Sequence, residues 1–193
     1  MKINYLYSIA FIIIFFASCK ERYSPKPQGY LRIDLELPKN KLFKPENCPF
    51  YFHSSDYFIL KNKSNCWIDL EYPKHNATIH ITYKSINDDL SKLLEDSRNM
   101  VYKHTIKADA INEKIYLNAN HQTYGTLYDI KGETASAVQF HITDSINNFI
   151  RGALYFHVNP NQDSLKPIIN YLRNDIVKIM ESLQWEDVSS LKE

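Results

Sequence analysis

The sequence predicts an α+β domain: an antiparallel sheet packed by two amphipathic helices. Three observations carry the prediction. Several segments alternate apolar and polar residues with period two, two longer segments carry apolar stripes of period 3.6, and the later strand candidates are joined by connectors too short for crossover helices.

The first eighteen residues stand apart from the rest. Lys2 supplies a positive end, Ile9 to Phe16 is an unbroken apolar run, and Ala17 and Ser18 are small. The apolar run is far short of the ~20 residues a membrane span needs, so 1–18 reads as a cleaved signal peptide. Small residues directly before Cys19 resemble the bacterial lipobox, although Phe16 replaces the usual Leu three positions earlier. In that pattern Cys19 becomes the amino terminus of the mature chain, and its sulfur carries a diacylglycerol. Residues 19–29 are polar with prolines at 25 and 27, and read as a lipidated tether. Residues 30–193 are expected to form one globular domain.

The elements follow in order. Leu31, Ile33, Leu35 and Leu37 alternate with Arg32, Asp34 and Glu36, the pattern of a strand with one wet face that ends at Pro38. Strand candidates follow at Phe50–Phe52, Tyr57–Leu60, Trp67–Tyr72 and Ala77–Tyr83. Between Ser85 and Lys107 the period changes: Leu90, Leu93, Leu94, Ser97, Met100, Val101 and His104 recur three and four apart. That segment predicts a helix of about five turns, capped by Asn87 with Asp88 and Asp89 at its positive end. Ile115–Leu117, Tyr124–Lys131, Ala135–Thr143 and Phe149–Val158 then predict an antiparallel meander. Its apolar face is defined by Val138, Phe140 and Ile142 against Ile150, Leu154, Phe156 and Val158. The last helix is expected to be capped by Asp163 or Ser164, with Pro167 in its first turn. Its apolar stripe comprises Leu165, Ile168, Ile169, Leu172, Ile176, Ile179, Met180 and Leu183.

Composition excludes some classes of function. Loss of Lys2 with the leader leaves the mature chain balanced at 22 acidic and 22 basic side chains, so a generic polyanion-binding role such as nucleic-acid binding has no support. A local basic patch is compatible with that balance. Three cysteines include the lipidation candidate Cys19, leaving Cys48 and Cys66 in an oxidising compartment. A bridge closing that loop is the disulfide candidate, contributing roughly 3 kcal/mol on a chain-entropy model; two separate buried thiols are the alternative. The pair offers too few ligands for a metal, and no cofactor motif is present.

No sequence motif marks a catalytic centre. The enzymatic candidates are His80, His141 and His157 on polar strand faces. A tight Asp144–Asn148 connection sets His141 opposite Arg151 and carries His157 up to Ala135, so those two histidines do not meet. Asp69 and Glu71 share a strand face and read as an ordinary solvated surface. With 14 Tyr and 10 Phe, adjacent aromatics such as Tyr51–Phe52, Tyr57–Phe58 and Tyr155–Phe156 put one ring of each pair away from a single core. Either a binding surface or a second, helix-covered layer accounts for them.

Several long segments resemble a known family. They are residues 25–35 (PKPQGYLRIDL), 66–86 (CWIDLEYPKHNATIHITYKSI), 93–111 (LLEDSRNMVYKHTIKADAI), 124–145 (YGTLYDIKGETASAVQFHITDS) and 148–176 (NFIRGALYFHVNPNQDSLKPIINYLRNDI). In this order they are similar to the gliding-motility-associated lipoprotein family GldD, from Tyr23 to about Trp185. The resemblance implies a lipid-anchored envelope protein of Bacteroidetes-type bacteria, needed for gliding and the linked type IX secretion. It further implies an outer-membrane position facing the periplasm, and partners among the other envelope proteins of that apparatus. It implies no catalytic residue, so a non-enzymatic assembly or stabilising factor is the expected role. The rival is a periplasmic hydrolase or small-ligand binder using the polar-face histidines. The order of elements is also similar to PsbP and Mog1-like folds.

Overall fold

The computed structural model describes residues 39–158 and 162–186. The signal peptide, Cys19, the tether and the strand expected at Leu31–Leu37 lie outside the described residues. The strands are β1 (Asn40–Phe43), β2 (Phe50–Ser55), β3 (Ile59–Asn62), β4 (Ile68–Tyr72) and β5 (Ala77–Ser85), followed by helix α1 (Leu90–Tyr102). Then come β6 (Ala108–Asn118), β7 (Thr123–Gly132), β8 (Ser136–Thr143), β9 (Asn148–Phe156), helix α2 (Gln162–Ser182) and β10 (Gln184–Trp185).

Seven strands form one sheet in the order β3-β4-β5-β9-β8-β7-β6, every neighbour antiparallel. The meander expected from the short connectors is its β6 to β9 half. Strand β5 closes against β9, so the segments on either side of α1 share one sheet. A second, three-stranded sheet, β1-β2-β10, lies with α2 over one face of the large sheet. The main core forms there. Leu172, Ile176, Ile179 and Met180 of α2 meet Phe50 and Phe52 of β2, and Leu70, Ile79, Val138, Phe140, Ile142, Ile150 and Leu154 of the large sheet. Fully burying each such side chain contributes about 1.5–3 kcal/mol.

Helix α1 covers part of the opposite face. Its Leu93, Ser97 and Val101 are buried, and Val101 packs on Tyr128 and Ile130 with Ala108 and Ile111 beside them. The ring pairs named from the sequence lie elsewhere: Phe52 and Phe58 are in the main core with Phe156 packed against it, Tyr51 bonds Gln184, and Tyr155 stands beside His80.

Several boundaries differ from the sequence reading. Helix α1 is shorter than expected, because Lys103–Ile106 tightens into a 3-10 turn and β6 begins at Ala108 instead of Ile115. Asn87 does not cap it. The N-cap is Asp89, whose carboxylate accepts a hydrogen bond from the backbone N–H of Asn87 at 3.0 Å, closing a loop before the helix. Helix α2 starts at Gln162, which places Pro167 beyond the first turn. Val158 is exposed, since β9 ends at Phe156. The missed strands β1 and β10 are four and two residues long.

The β8–β9 connection is built on one carboxylate. Asp144 Oδ1 accepts the backbone N–H groups of Ile146, Asn147 and Asn148 at 2.8–2.9 Å, and Oδ2 accepts Nδ2 of Asn148 at 2.6 Å. Burial works to raise the Asp144 carboxyl, and these donors more than reverse that, holding it below the ordinary carboxylate value. The turn sets His141 opposite Arg151, as the short connector requires.

Candidate functional site: the polar face of the sheet

The sequence-nominated residues all lie on the large sheet's second face. Alternation puts Asp69 and Glu71 of β4, Thr78, His80 and Thr82 of β5, Arg151 and Tyr155 of β9, and Gln139 and His141 of β8 on that side. Register then decides which of them meet. Asp69 and His80 are cross-strand partners, and Asp69 Oδ1 lies 2.6 Å from His80 Nδ1. The other carboxylate oxygen pairs with Lys63. Asp69 is only 7% exposed; burial acts to raise its carboxyl, but the bonds from Lys63 and His80 prevail and hold it low. His80 keeps a side chain 41% exposed, with the Tyr155 ring centred 5.6 Å away. Glu71 instead pairs with Lys61 at 2.8 Å, so Asp69 and Glu71 do not act as a joint carboxylate pair.

The three histidines are not brought together. His157 is exposed, with Nε2 at 2.8 Å from the Thr78 hydroxyl. His141 is 7% exposed, stacked on Phe149 at 5.8 Å and tilted against Tyr128 at 6.0 Å. Burial depresses the His141 imidazole to about 4, with Arg151 opposite adding to the shift and Glu113 opposing it. It is neutral at pH 7. The unfolded chain takes up a proton near 6.5 and the fold resists until about 4, so His141 makes the fold less stable as pH falls through that window. Beside it, Arg151 Nη2 donates to Gln139 Oε1 at 2.5 Å. Among the described residues no group of three or more His, Cys, Asp or Glu is arranged to hold a metal ion.

One polar cluster was not anticipated. Asp175, 5% exposed on α2, accepts hydrogen bonds from Ser55 at 2.6 Å and Tyr72 at 3.1 Å, and burial raises its carboxyl. It ties α2 to β2 and β4 inside the core. A signal was available: Asp175 falls between Leu172 and Ile179 in the apolar stripe, where a solvated charge does not belong. With Ser55 0% and Tyr72 1% exposed, the cluster has no opening through either hydroxyl and acts as a structural staple.

Cys48 and Cys66 face each other with Cα atoms 5.3 Å apart, within the usual disulfide range. Cys48 is 2% exposed and Cys66 is half-buried. Non-reducing mass spectrometry of the mature chain is expected to recover the two as one cross-linked species, and reduction to lower stability by about 3 kcal/mol. Two freely alkylatable thiols in freshly purified protein rule the bridge out.

Comparisons with known proteins place the chain. No curated protein matches it. A solved structure similar to it is the solution structure of cyanobacterial PsbP from Synechocystis, at 9% identity and a TM-score of 0.47, covering 83% of this chain and 99% of that one. A family model, gliding motility lipoprotein GldD, matches residues 20–185, which takes in every described strand and helix. A lipid-anchored envelope location and a role in gliding motility follow from that family, and the chain belongs to the GldD family of gliding motility lipoproteins.

Proposed function

We propose that the protein is a non-enzymatic assembly or stabilising factor, held by the lipid on Cys19 at the outer membrane and facing the periplasm. There it binds envelope proteins of the gliding and type IX secretion apparatus. The observation that carries the reading is the family match across residues 20–185, which spans the domain without singling out a reaction centre. The surface offers a place for such contact. Among the described residues strand β6 is an edge of the large sheet, and its Ile115 and Leu117, on the face that carries Tyr128 and Ile130, are 70% and 74% exposed. An edge strand of this kind accepts an extended segment of a partner by main-chain hydrogen bonds, with alternate apolar side chains giving register.

The rival acid–base reading is supported by one contact, Asp69 to His80, which orients a part-exposed imidazole by a carboxylate. Single His80→Gln, His141→Gln and His157→Gln variants separate the two. Gliding and secretion are expected to persist in the His80 and His157 variants at normal protein level, since exposed substitutions shift stability by under about 0.5 kcal/mol. The His141 variant is expected to lose abundance with function, because that ring is packed between Phe149 and Tyr128. Loss of function in the His80 variant at normal abundance, localisation and partner capture overturns the factor reading, since losing a general base costs about 10² to 10⁴ in rate without unfolding the domain.

A further inference from the structure

A groove of about 430 Å³ opens between α2 and strands β6 to β8. Its charge is one-sided. Arg173 is neutralised by Asp129, with Nε and Nη2 bonded at 2.6 and 2.8 Å to the two carboxylate oxygens. Lys131 and Lys166 also line the groove, and among the described residues neither is ion-paired. Asn112 and Asn170 add amide groups, while Ala137 and Ile169 give an apolar wall. Two ammonium groups without an ion pair among the described residues, two amides and an apolar wall suit an anionic group carried on an apolar stem.

The path of the chain shows what lies beside this groove. Strand β2 begins at Phe50, paired with Trp185 beyond the carboxyl end of α2, and ends at Ser55, bonded to Asp175 midway along the helix. Strand β2 therefore runs toward the start of α2. Antiparallel β1 runs the other way, so the chain reaches Asn40 from the side on which α2 begins. Lys166 stands in the first turns of α2, and Lys131 is next to last in β7. Nineteen residues lie between Cys19 and Lys39, at most ~70 Å of extended chain. Strand β1 thus begins from the side of the domain on which α2 begins, the side that carries Lys166.

We infer that the Lys131–Lys166 groove docks on the membrane that holds the anchor, taking the phosphate of an acidic phospholipid headgroup. The inference rests on the lipid-anchored reading and is independent of which partner proteins are bound. Docking fixes which end of the domain faces the bilayer and leaves the rest of the surface turned away from it.

The test uses the mature chain with Cys19→Ser, so that no acyl group contributes, in flotation with vesicles of phosphatidylglycerol and phosphatidylethanolamine or of phosphatidylcholine alone. Binding is expected only to the acidic vesicles. Lys131→Gln and Lys166→Gln should each weaken it roughly fivefold, the worth of one basic residue near an anionic surface, and Lys131→Glu with Lys166→Glu should abolish it. Lys84→Gln and Lys92→Gln, both exposed and outside the groove lining, serve as charge-matched controls that keep full binding. Circular dichroism melts verify that the variants are folded. Absent binding, equal binding to both vesicle types, or full binding by the double Glu variant overturns the inference. So does displacement by inorganic phosphate beyond that of chloride at equal ionic strength, which assigns the groove to a free anion instead of a headgroup.

Discussion

Cys19→Ser is expected to abolish lipid attachment and, with it, stable anchoring in the membrane. The sulfur is the acceptor of the diacylglycerol in the lipobox pattern, and a serine hydroxyl does not replace it. Each buried methylene of an acyl chain contributes ~0.8 kcal/mol, so two chains on the sulfur and one on the amine give anchoring that no surface contact of this domain rivals. Metabolic labelling with a fatty acid should find no label, and the chain should accumulate as precursor or as a soluble periplasmic form. Persistent label with membrane fractionation contradicts the assignment of Cys19. A soluble but abundant variant that no longer supports gliding shows, further, that position in the envelope is part of what the domain contributes.

Phe140→Ala is expected to cost about 3–5 kcal/mol, a large share of the 5–15 kcal/mol by which a domain is normally stable, and to lower the melting temperature by roughly 6 to 20 °C. The reason is a pairing across strands. Phe140 is fully buried in β8 and stands directly opposite Gly152 of β9. A Cβ built on Gly152 falls 2.3 Å from both Cε1 and Cζ of the Phe140 ring, so the ring fills the space of the missing side chain. Gly152→Ala alone overpacks this contact and is expected to cost ~1–3 kcal/mol. In the Phe140→Ala background the same methyl enters a cavity, and its cost should fall or change sign. Thermal melts of the four-member cycle measure the coupling; costs that add to within about 0.5 kcal/mol contradict the account.

What the sequence made visible is what repeats along it. The meander and α2 were readable because their apolar periods run through whole elements, from Val138 to Ile142 and from Leu165 to Leu183, and because the connectors leave no alternative to antiparallel pairing. Where long-range packing overrides local pattern, the reading slipped. Ala108 to Ala110 has no alternation, yet its continuation in β6 pairs with β7 from Ala110 to Asn118 and draws these residues into the strand across an irregularity at Asp109. Strand β10 is too short to show any period and exists only because Tyr51 and Phe50 receive it. In the site, cross-strand register was the hidden variable. The positions of β4 and β5 offered no reason in sequence to couple Asp69 with His80, since the pairing depends on the turn at Pro73–His75 and the left-handed Asn76 that follows. The Lys131–Lys166 groove joins residues from a strand and a helix that come together only in the folded chain.

The placement of β10 ties the ends of the domain together in time as well as in space. Strand β2 is synthesised early, but its second neighbour is Gln184–Trp185, and its Ser55 waits for Asp175. For a chain that emerges amino end first, from a ribosome or across a membrane, Phe50 and Phe52 have no completed core until more than a hundred further residues have arrived. Loop closure of that length costs little in equilibrium stability but delays the last step of folding. A chain unable to close its core until its carboxyl end is through remains threadable during export, and locks only after translocation is complete.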